Sequence, residues 1–579
     1  MSTTSDKKDF DNTMGHVPTN HDEGIVQHVH LGYATTLKKN RSFWSVLGMV
    51  LAIVAVPYGF GGPMISAVYG GGQLSMFVGV LVVLVLDGAV AVSLAELASR
   101  YPTSSGVYYW SYRLCGERKG MRKALSFITG WFWLIGNWTI ALSVNFGFAS
   151  LIASTVSIYQ PDWTASNWEL LLIFYAICIV TFIVCAFGDK MLPYVDAAAA
   201  LWSVVTIVAV LIGVAVQAKS GRHSASYTLG NYDTSFSGWG QGFTFFIGLL
   251  PPAYAFSAIG MVTSMAEECA EPEVEVSRSL VLCIPIGGLA SLFFILPLCA
   301  TLPPLEDILG APNGQALPYI LATVMGNKAG TIILMVMVFL VTLFCSISIT
   351  TGASRCTWAF SRDHALPFAH IWTKTVADSP VYALLLVTVI EMLLGLINLG
   401  SSAAFTAFAS VGVIALAIGY LVPIAISLLT GRKEVQHAKW NVGHFAGTIA
   451  NVLAVAWILF ELVLFSMPTA LPVTEVSMNY ASVVLVGLVS LSGIWYAISG
   501  RNRKSNDFTC LVTGADMIRI YGSTRRDRRR LLEGRWKRFF WLIALRFLCS
   551  VLVYPTGNFR ALLAGSCILL RVFLSPTDS

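Results

Sequence analysis

The chain has 579 residues, 56% of them hydrophobic and only 12% charged, with a formal net charge of +6 and a mean hydropathy of +0.70. Soluble domains carry about 25% charged residues, so a soluble globule is excluded and an all-α polytopic membrane protein is implied. A hydrocarbon core about 30 Å thick needs about 20 apolar residues per helix. About twelve segments meet that requirement: 43-69, 74-97, 124-157, 169-188, 191-217, 241-266, 279-302, 328-353, 380-399, 402-430, 445-468 and 475-499.

Residues 1–42 form a polar N-terminal tail with no signal-peptide pattern, so the first span is expected to target the chain. That span, Phe43 to Tyr69, contains Val56-Pro57-Tyr58-Gly59-Phe60-Gly61-Gly62-Pro63. Glycine lacks the steric bias that holds a helix and proline removes an amide donor, so this cluster is expected to unwind at mid-membrane depth. Unwound backbone is tolerated there only against protein or a water-filled cavity. The cluster reads either as a packing kink or as a ligand site, and a second interruption favours the site. It runs from Leu249 through Pro251 and Pro252 to Gly260, in the sixth span.

Further along, Asp87 lies mid-span in the second segment, and Val107-Tyr108-Tyr109-Trp110 after Gly106 reads as a short interfacial helix. Trp131, Trp133 and Trp138 occupy the third span, where Trp138 is deep enough to offer a cation-π face to an ammonium group. Asp196 stands a few residues from Lys190 and reads as snorkelling to the interface. The stretch from Ala218 to Gly240 is polar and is expected to form an outer loop. Span eight carries Ser346, Thr350 and Ser354 four apart, hence on one face. Glu391 and Glu461 are two more acids within spans; a bare carboxylate in hydrocarbon must protonate or pair. Asp87 is the first candidate for a coupling proton and Glu391 the second. Residues 501–579 alternate Arg-rich and apolar blocks, and they read as a basic tail lying on anionic lipid rather than as a nucleic-acid patch.

Basic residues resist translocation. With the N-terminus inside, the even-numbered gaps collect Arg100, Arg113, Arg278, Arg355, Arg362, Arg432 and their neighbours, whereas the opposite gaps hold only Lys219, Arg222 and Lys328. Both termini are therefore expected in the cytoplasm. The eleven cysteines fall in spans or on the inner side, so no disulfide framework is expected.

Three stretches carry a family likeness: Ser93 to Gly106 (Ser-Leu-Ala-Glu-Leu-Ala-Ser-Arg-Tyr-Pro-Thr-Ser-Ser-Gly), Ser264-Met265-Ala266-Glu267-Glu268, and Ser354-Arg355 through Phe360 to Pro367. In this order, with both interrupted spans in register, the chain resembles the amino acid-polyamine-organocation permeases. Within them it is most similar to the fungal amino acid/choline permeases, the group of the GABA permeases and choline transport proteins. The likeness covers about Phe43 to Arg501. It implies a LeuT-like arrangement of five helices and five inverted helices, with repeats at about 43-217 and 241-430, followed by helices eleven and twelve at 445-499. The whole transporter domain then spans 43-500. The likeness also implies that substrate sits between the broken parts of spans one and six. Gly59, Phe60, Gly61 and Gly62 would supply amides, while Tyr254, Phe256, Ser257, Ala258, Ile259 and Gly260, with Trp138 and Ser346, would meet the rest of the substrate. Glu267 and Glu268 would pair with Arg355 or Arg100 in an inner gate.

No phosphate-binding loop, zinc-ligand cluster or converging catalytic set occurs, so neither an enzyme nor a bound cofactor or metal is expected. The reading is a proton-driven importer of an amino acid or an amino-acid-derived amine such as GABA or choline. It would be embedded in lipid, at the plasma membrane, and work by alternating access. An exchanger without proton coupling and a transport-dead nutrient sensor remain the alternatives.

Overall fold

The computed structural model describes residues 39–496, apart from 117–118, 189, 377–378, 401 and 475–477; the C-terminal tail therefore lies outside the described residues. Within them the chain is helical, and only isolated bridges, such as Arg41 with Cys269, have strand character. Eleven helices are long and apolar enough to cross a membrane: α1 Phe43–Gly61, α2 Gln73–Arg100, α3 Met121–Tyr159, α4 Asn167–Phe187, α5 Leu192–Gln217, α6 Gln241–Glu268, α7 Pro272–Ala300, α8 Lys328–Arg362, α9 Val381–Gly400, α10 Ala407–Leu429 and α11 His444–Leu464. A shorter apolar helix follows, α12 Ala481–Trp495. The protein is an integral, multi-pass membrane protein.

The bundle sorts by enclosure. α10 has 94% of its apolar stretch buried, whereas α4 and α5 have 33%, so α10 is central and α4 and α5 face lipid. Trp168, Leu172, Ile179, Ile183 and Phe187 form the exposed apolar side of α4, as a lipid-facing helix requires. α2 packs along α7 and α11, α3 along α8 and α10, and α1 along α5 and α7.

Both α1 and α6 are interrupted, though not where the glycines and prolines alone suggest. In α1 the break is at Ala55, which is left-handed at φ 38°, a conformation few residues other than glycine adopt. Pro57 then sits in the first turn of a new helical segment, Val56–Gly61, where its missing N–H costs nothing. The Ile53 carbonyl, four residues before that proline, takes the Cys345 thiol at 3.4 Å instead. A second bend follows at Gly62 and Pro63, before Met64–Tyr69. In α6, Gln241–Ile247 is separated by Gly248 and Leu249 from Leu250–Ser257, whose first turn likewise holds Pro251 and Pro252. From Ile259 to Glu268 the chain runs as a 3-10 helix. Ten residues is long for that form, whose runs rarely exceed three or four.

The short helix Gly106–Leu114 is present, but its aromatic residues do not lie at an interface. Tyr108, Tyr109 and Trp110 are buried in protein, and the Trp110 indole donates to the Tyr101 carbonyl at 2.9 Å.

Candidate functional site

The two interrupted helices meet. A Cβ placed on Gly59 would lie 2.9 Å from the Ala255 Cβ and 2.5 Å from the Val54 carbonyl oxygen, so only glycine allows α1 and α6 to come this close. Beside the contact is a small cavity with room for about one water molecule. Its walls are Ile53, Val54, Tyr58 and Gly59 of α1, Tyr254, Ala255 and Ala258 of α6, Ile140 and Val144 of α3, and Cys345 and Ile349 of α8. Its polar groups are phenols. The Tyr254 hydroxyl shares a hydrogen bond of 2.9 Å with Ser143, and the Tyr58 hydroxyl lies 3.4 Å from the Ser143 and Val144 carbonyls.

Of the expected substrate contacts, Gly59, Tyr254 and Ala258 line this cavity. The amides of the glycine cluster are already used: Gly59 N donates to Ala55 O at 2.8 Å and Gly62 N to Tyr58 O at 2.7 Å, while Phe60 and Gly61 belong to the helical turn Val56–Gly61. The expectation of freed amides there is corrected, because the helix restarts at Val56. Phe256 packs on Gly287 of α7. The Ser257 hydroxyl bonds back to the Tyr254 carbonyl, and Ile259 and Gly260 open the 3-10 segment. Trp138 donates to Thr357 Oγ1 at 2.9 Å. Ser346 bonds Asn145 and, at 3.0 Å, Thr181, facing away from the cavity. Ile53, Val54, Tyr58, Ile140, Val144, Ala255, Cys345 and Ile349 were missed. The signal was spacing: Ile140 with Val144, and Cys345 with Ile349, are each four apart on one helix face.

Glu391 accepts from Asn145 Nδ2 at 2.8 Å and from the Cys178 thiol at 3.7 Å. It therefore joins Asn145, Ser346 and Thr181 in a buried polar network among α3, α4, α8 and α9. Asp87 accepts from the Trp457 indole at 2.7 Å.

At the end of the bundle where α6 stops, four charged side chains interlock. Glu268 takes Arg355 Nε at 2.9 Å and Arg41 Nε at 3.0 Å, and Arg41 reaches Asp196 at 2.7 Å, which also accepts from Ser348 at 2.8 Å. Asp196 is thus buried and paired, not snorkelling. Burial would lower the affinity of Arg41 for its proton, but the Asp196 and Glu268 carboxylates outweigh this and hold its pKa above the ordinary value. Glu267 holds Arg362 through two bonds, of 2.8 and 2.9 Å. Arg100 pairs with Glu434 instead, at 3.2 Å.

The two helix interruptions meet beside a small pocket within a bundle of membrane spans, and the kinship of the sequence makes this a transport protein rather than an enzyme. Residues 42–489 match the amino acid permease family. The chain belongs to that family, within the amino acid-polyamine-organocation superfamily. It is 26% identical over 468 residues to the choline transporter of Saccharomyces cerevisiae, covering 80% of this chain and 82% of that protein. To amino-acid permease BAT1 of Arabidopsis thaliana it is 28% identical over 497 residues, 83% and 95% of the two chains. To the polyamine transporter TPO5 of Saccharomyces cerevisiae it is 27% identical over 484 residues, 81% and 76%.

Proposed function

We propose that the protein is a secondary active transporter that takes up an amino acid or an amino-acid-derived amine such as GABA or choline, driven by protons and working by alternating access. The supporting observation is the contact of the α1 and α6 interruptions at Gly59 and Ala255 beside the cavity. Two breaks five spans apart are what a LeuT-like inverted repeat requires. The site would lie between them. With room for about one water, the cavity describes a closed form that must widen to admit substrate.

Substrate class follows from the walls. Among the described residues no charged side chain lines the cavity, and stripping water from an unpaired charge is costly. A multiply charged polyamine is therefore disfavoured relative to a zwitterion or a quaternary amine. The faces of Tyr58 and Tyr254 suit an ammonium group. The Arg41, Asp196, Glu268 and Arg355 cluster, with Glu267 and Arg362, would be the gate on the cytoplasmic side, where both termini belong, and Asp87 would carry the coupling proton.

The test is uptake of labelled amino acids, GABA, choline and putrescine in a permease-deficient yeast host, with and without a protonophore. Uptake of a zwitterion or choline that the protonophore abolishes is expected. Preference for putrescine would overturn the substrate class. Protonophore-resistant uptake stimulated by preloaded amino acid would make the protein an exchanger, and no uptake of any probe would favour a sensor.

A further inference from the structure

Behind the cavity wall a line of hydrogen bonds crosses four helices and ends on Glu391. Asn145 follows Val144 on α3 and Ser346 follows Cys345 on α8, and both of those neighbours line the cavity. Asn145 Nδ2 donates to Glu391 Oε2 at 2.8 Å, and the Ser346 hydroxyl donates to Asn145 Oδ1. Thr181 of α4 lies 3.0 Å from Ser346, a contact in which either hydroxyl can donate. The Cys178 thiol, also on α4, makes a longer contact of 3.7 Å to the same Glu391 oxygen. None of these five side chains is more than 1% exposed. Glu391 Oε1 has no hydrogen-bond partner, and no charged side chain of any neighbouring helix acts on Glu391 among the described residues. Two further titratable groups of α4 are engaged elsewhere: the Tyr175 hydroxyl donates to the Met392 carbonyl at 2.9 Å and the Cys185 thiol to the Ile347 carbonyl at 3.6 Å.

A buried carboxylate with one strong donor and no counter-charge is costly. A proton or a metal cation would relieve it, and the donors decide between them. A cation needs several oxygen lone pairs converging on it, whereas Asn145 presents its N–H to the carboxylate and Ser346 spends its hydroxyl hydrogen on Asn145. A proton needs only one oxygen. With the carboxyl ionised, the line is polarised toward it, from Thr181 to Ser346 to Asn145 to Glu391. With a proton on Oε2, the carboxyl becomes the donor. The Asn145 amide then turns over so that Oδ1 accepts from Glu391, Nδ2 donates to Ser346 Oγ, and Ser346 gives its hydrogen to Thr181 Oγ1. Each member is satisfied in both directions, because amides and hydroxyls both donate and accept. One O–H bond forms with a proton taken from water, and the remaining changes are rotations.

We propose that Glu391 is a proton-binding site, and that Asn145, Ser346 and Thr181 form a hydrogen-bonded line whose direction its proton reverses. This is a second proton site, on α9, beside the one proposed at Asp87 on α2. Its role in coupling rests on the transport reading above, whereas the proton and the reversal do not. Asn145 and Ser346 are positioning residues here, setting how firmly Glu391 holds its proton.

The experiment is infrared difference spectroscopy across about pH 4–9 on the full chain in phosphatidylcholine vesicles. It follows the carbonyl band of protonated carboxyl groups and the S–H band of the thiols. A titrating carboxyl band in the wild type should be absent from Glu391→Gln, whose amide donates as the protonated acid does. A thiol band should move over the same pH range, because Oε2 is a weaker acceptor once protonated, and should be absent from Cys178→Ala. Asn145→Leu removes the donor to the ionised form, so the Glu391 midpoint should rise by about one to two pH units, the worth of one hydrogen bond to a charged group. If Glu391→Gln removes no titrating band, the proton site is overturned. An unmoved midpoint in Asn145→Leu, or a thiol band that ignores the carboxyl titration, would overturn the reversal. The thiol readout needs only the wild type and Cys178→Ala, so it decides the matter even where Asn145→Leu fails to fold. Uptake of the probe panel is measured in parallel. Failure of every probe with the spectra as expected would count against the transport reading alone, and an unaltered pH profile of uptake in Glu391→Gln would remove the site from the transport cycle.

Discussion

Replacing Arg41 with Gln removes the guanidinium that bridges Asp196 at 2.7 Å and Glu268 at 3.0 Å. Glu268 keeps Arg355 at 2.9 Å, but Asp196 is left with the Ser348 hydroxyl while remaining buried. Removing one partner of a buried ion pair costs about 3–5 kcal/mol, because the other charge stays desolvated. The backbone contact does not vanish with the side chain, since the Asn40 and Arg41 amides each donate to the Glu268 carbonyl at 3.1 Å. On the gate proposed above, the penalty falls on the closed arrangement at this end. Charged to a two-state gate, it would shift the ratio of closed to open forms by about two to four powers of ten. Cys269 reports on this directly. It is fully buried beside Glu268, and burial pushes its thiol pKa up, so it reacts slowly while this end is closed. Alkylation of Cys269 by a membrane-permeant maleimide, read by peptide mass spectrometry, should rise at least about tenfold in Arg41→Gln, a conservative fraction of that shift. Adding Asp196→Asn should restore most of the protection, because a neutral amide needs no counter-charge. An unchanged rate in the single variant, or no recovery in the double, would refute the reasoning.

Gly59→Ala should push α1 and α6 apart, because its methyl meets the Val54 carbonyl oxygen at 2.5 Å and the Ala255 Cβ at 2.9 Å, and a backbone atom cannot swing aside. Overpacking of this kind costs about 1–3 kcal/mol; the variant should reach the membrane with a lower melting temperature and no uptake, and wild-type values for both would show that the close approach is dispensable. For orientation, single cysteines at positions 222 and 328 should label in intact cells and one at 433 only after permeabilisation. External labelling at 433 would reverse the sidedness assigned to the Arg41 and Glu268 cluster.

Composition and hydropathy were enough to make this a bundle of membrane helices, because the cost of exposing polar backbone to lipid leaves few other ways to arrange long apolar runs. The order of motifs from Ser93 to Pro367 was enough to point to its superfamily. Glycine and proline clusters located the two interruptions to within a turn. They could not place the breaks themselves. Prolines are accepted in the first turn of a helix, so Pro57, Pro251 and Pro252 begin helical segments, and the breaks fall instead at Ala55, the left-handed one, and at Gly248 and Ala258. Local sequence also could not reveal which charges pair across hundreds of residues. Asp196 looked like a surface group because Lys190 is near in sequence, yet its partner is Arg41, 155 positions away. Asp87 was legible as an acid in an apolar span, but Trp457 reaches it only because α11 packs along α2. A buried charge must be neutralised by whatever the fold brings beside it, and that choice belongs to the tertiary structure.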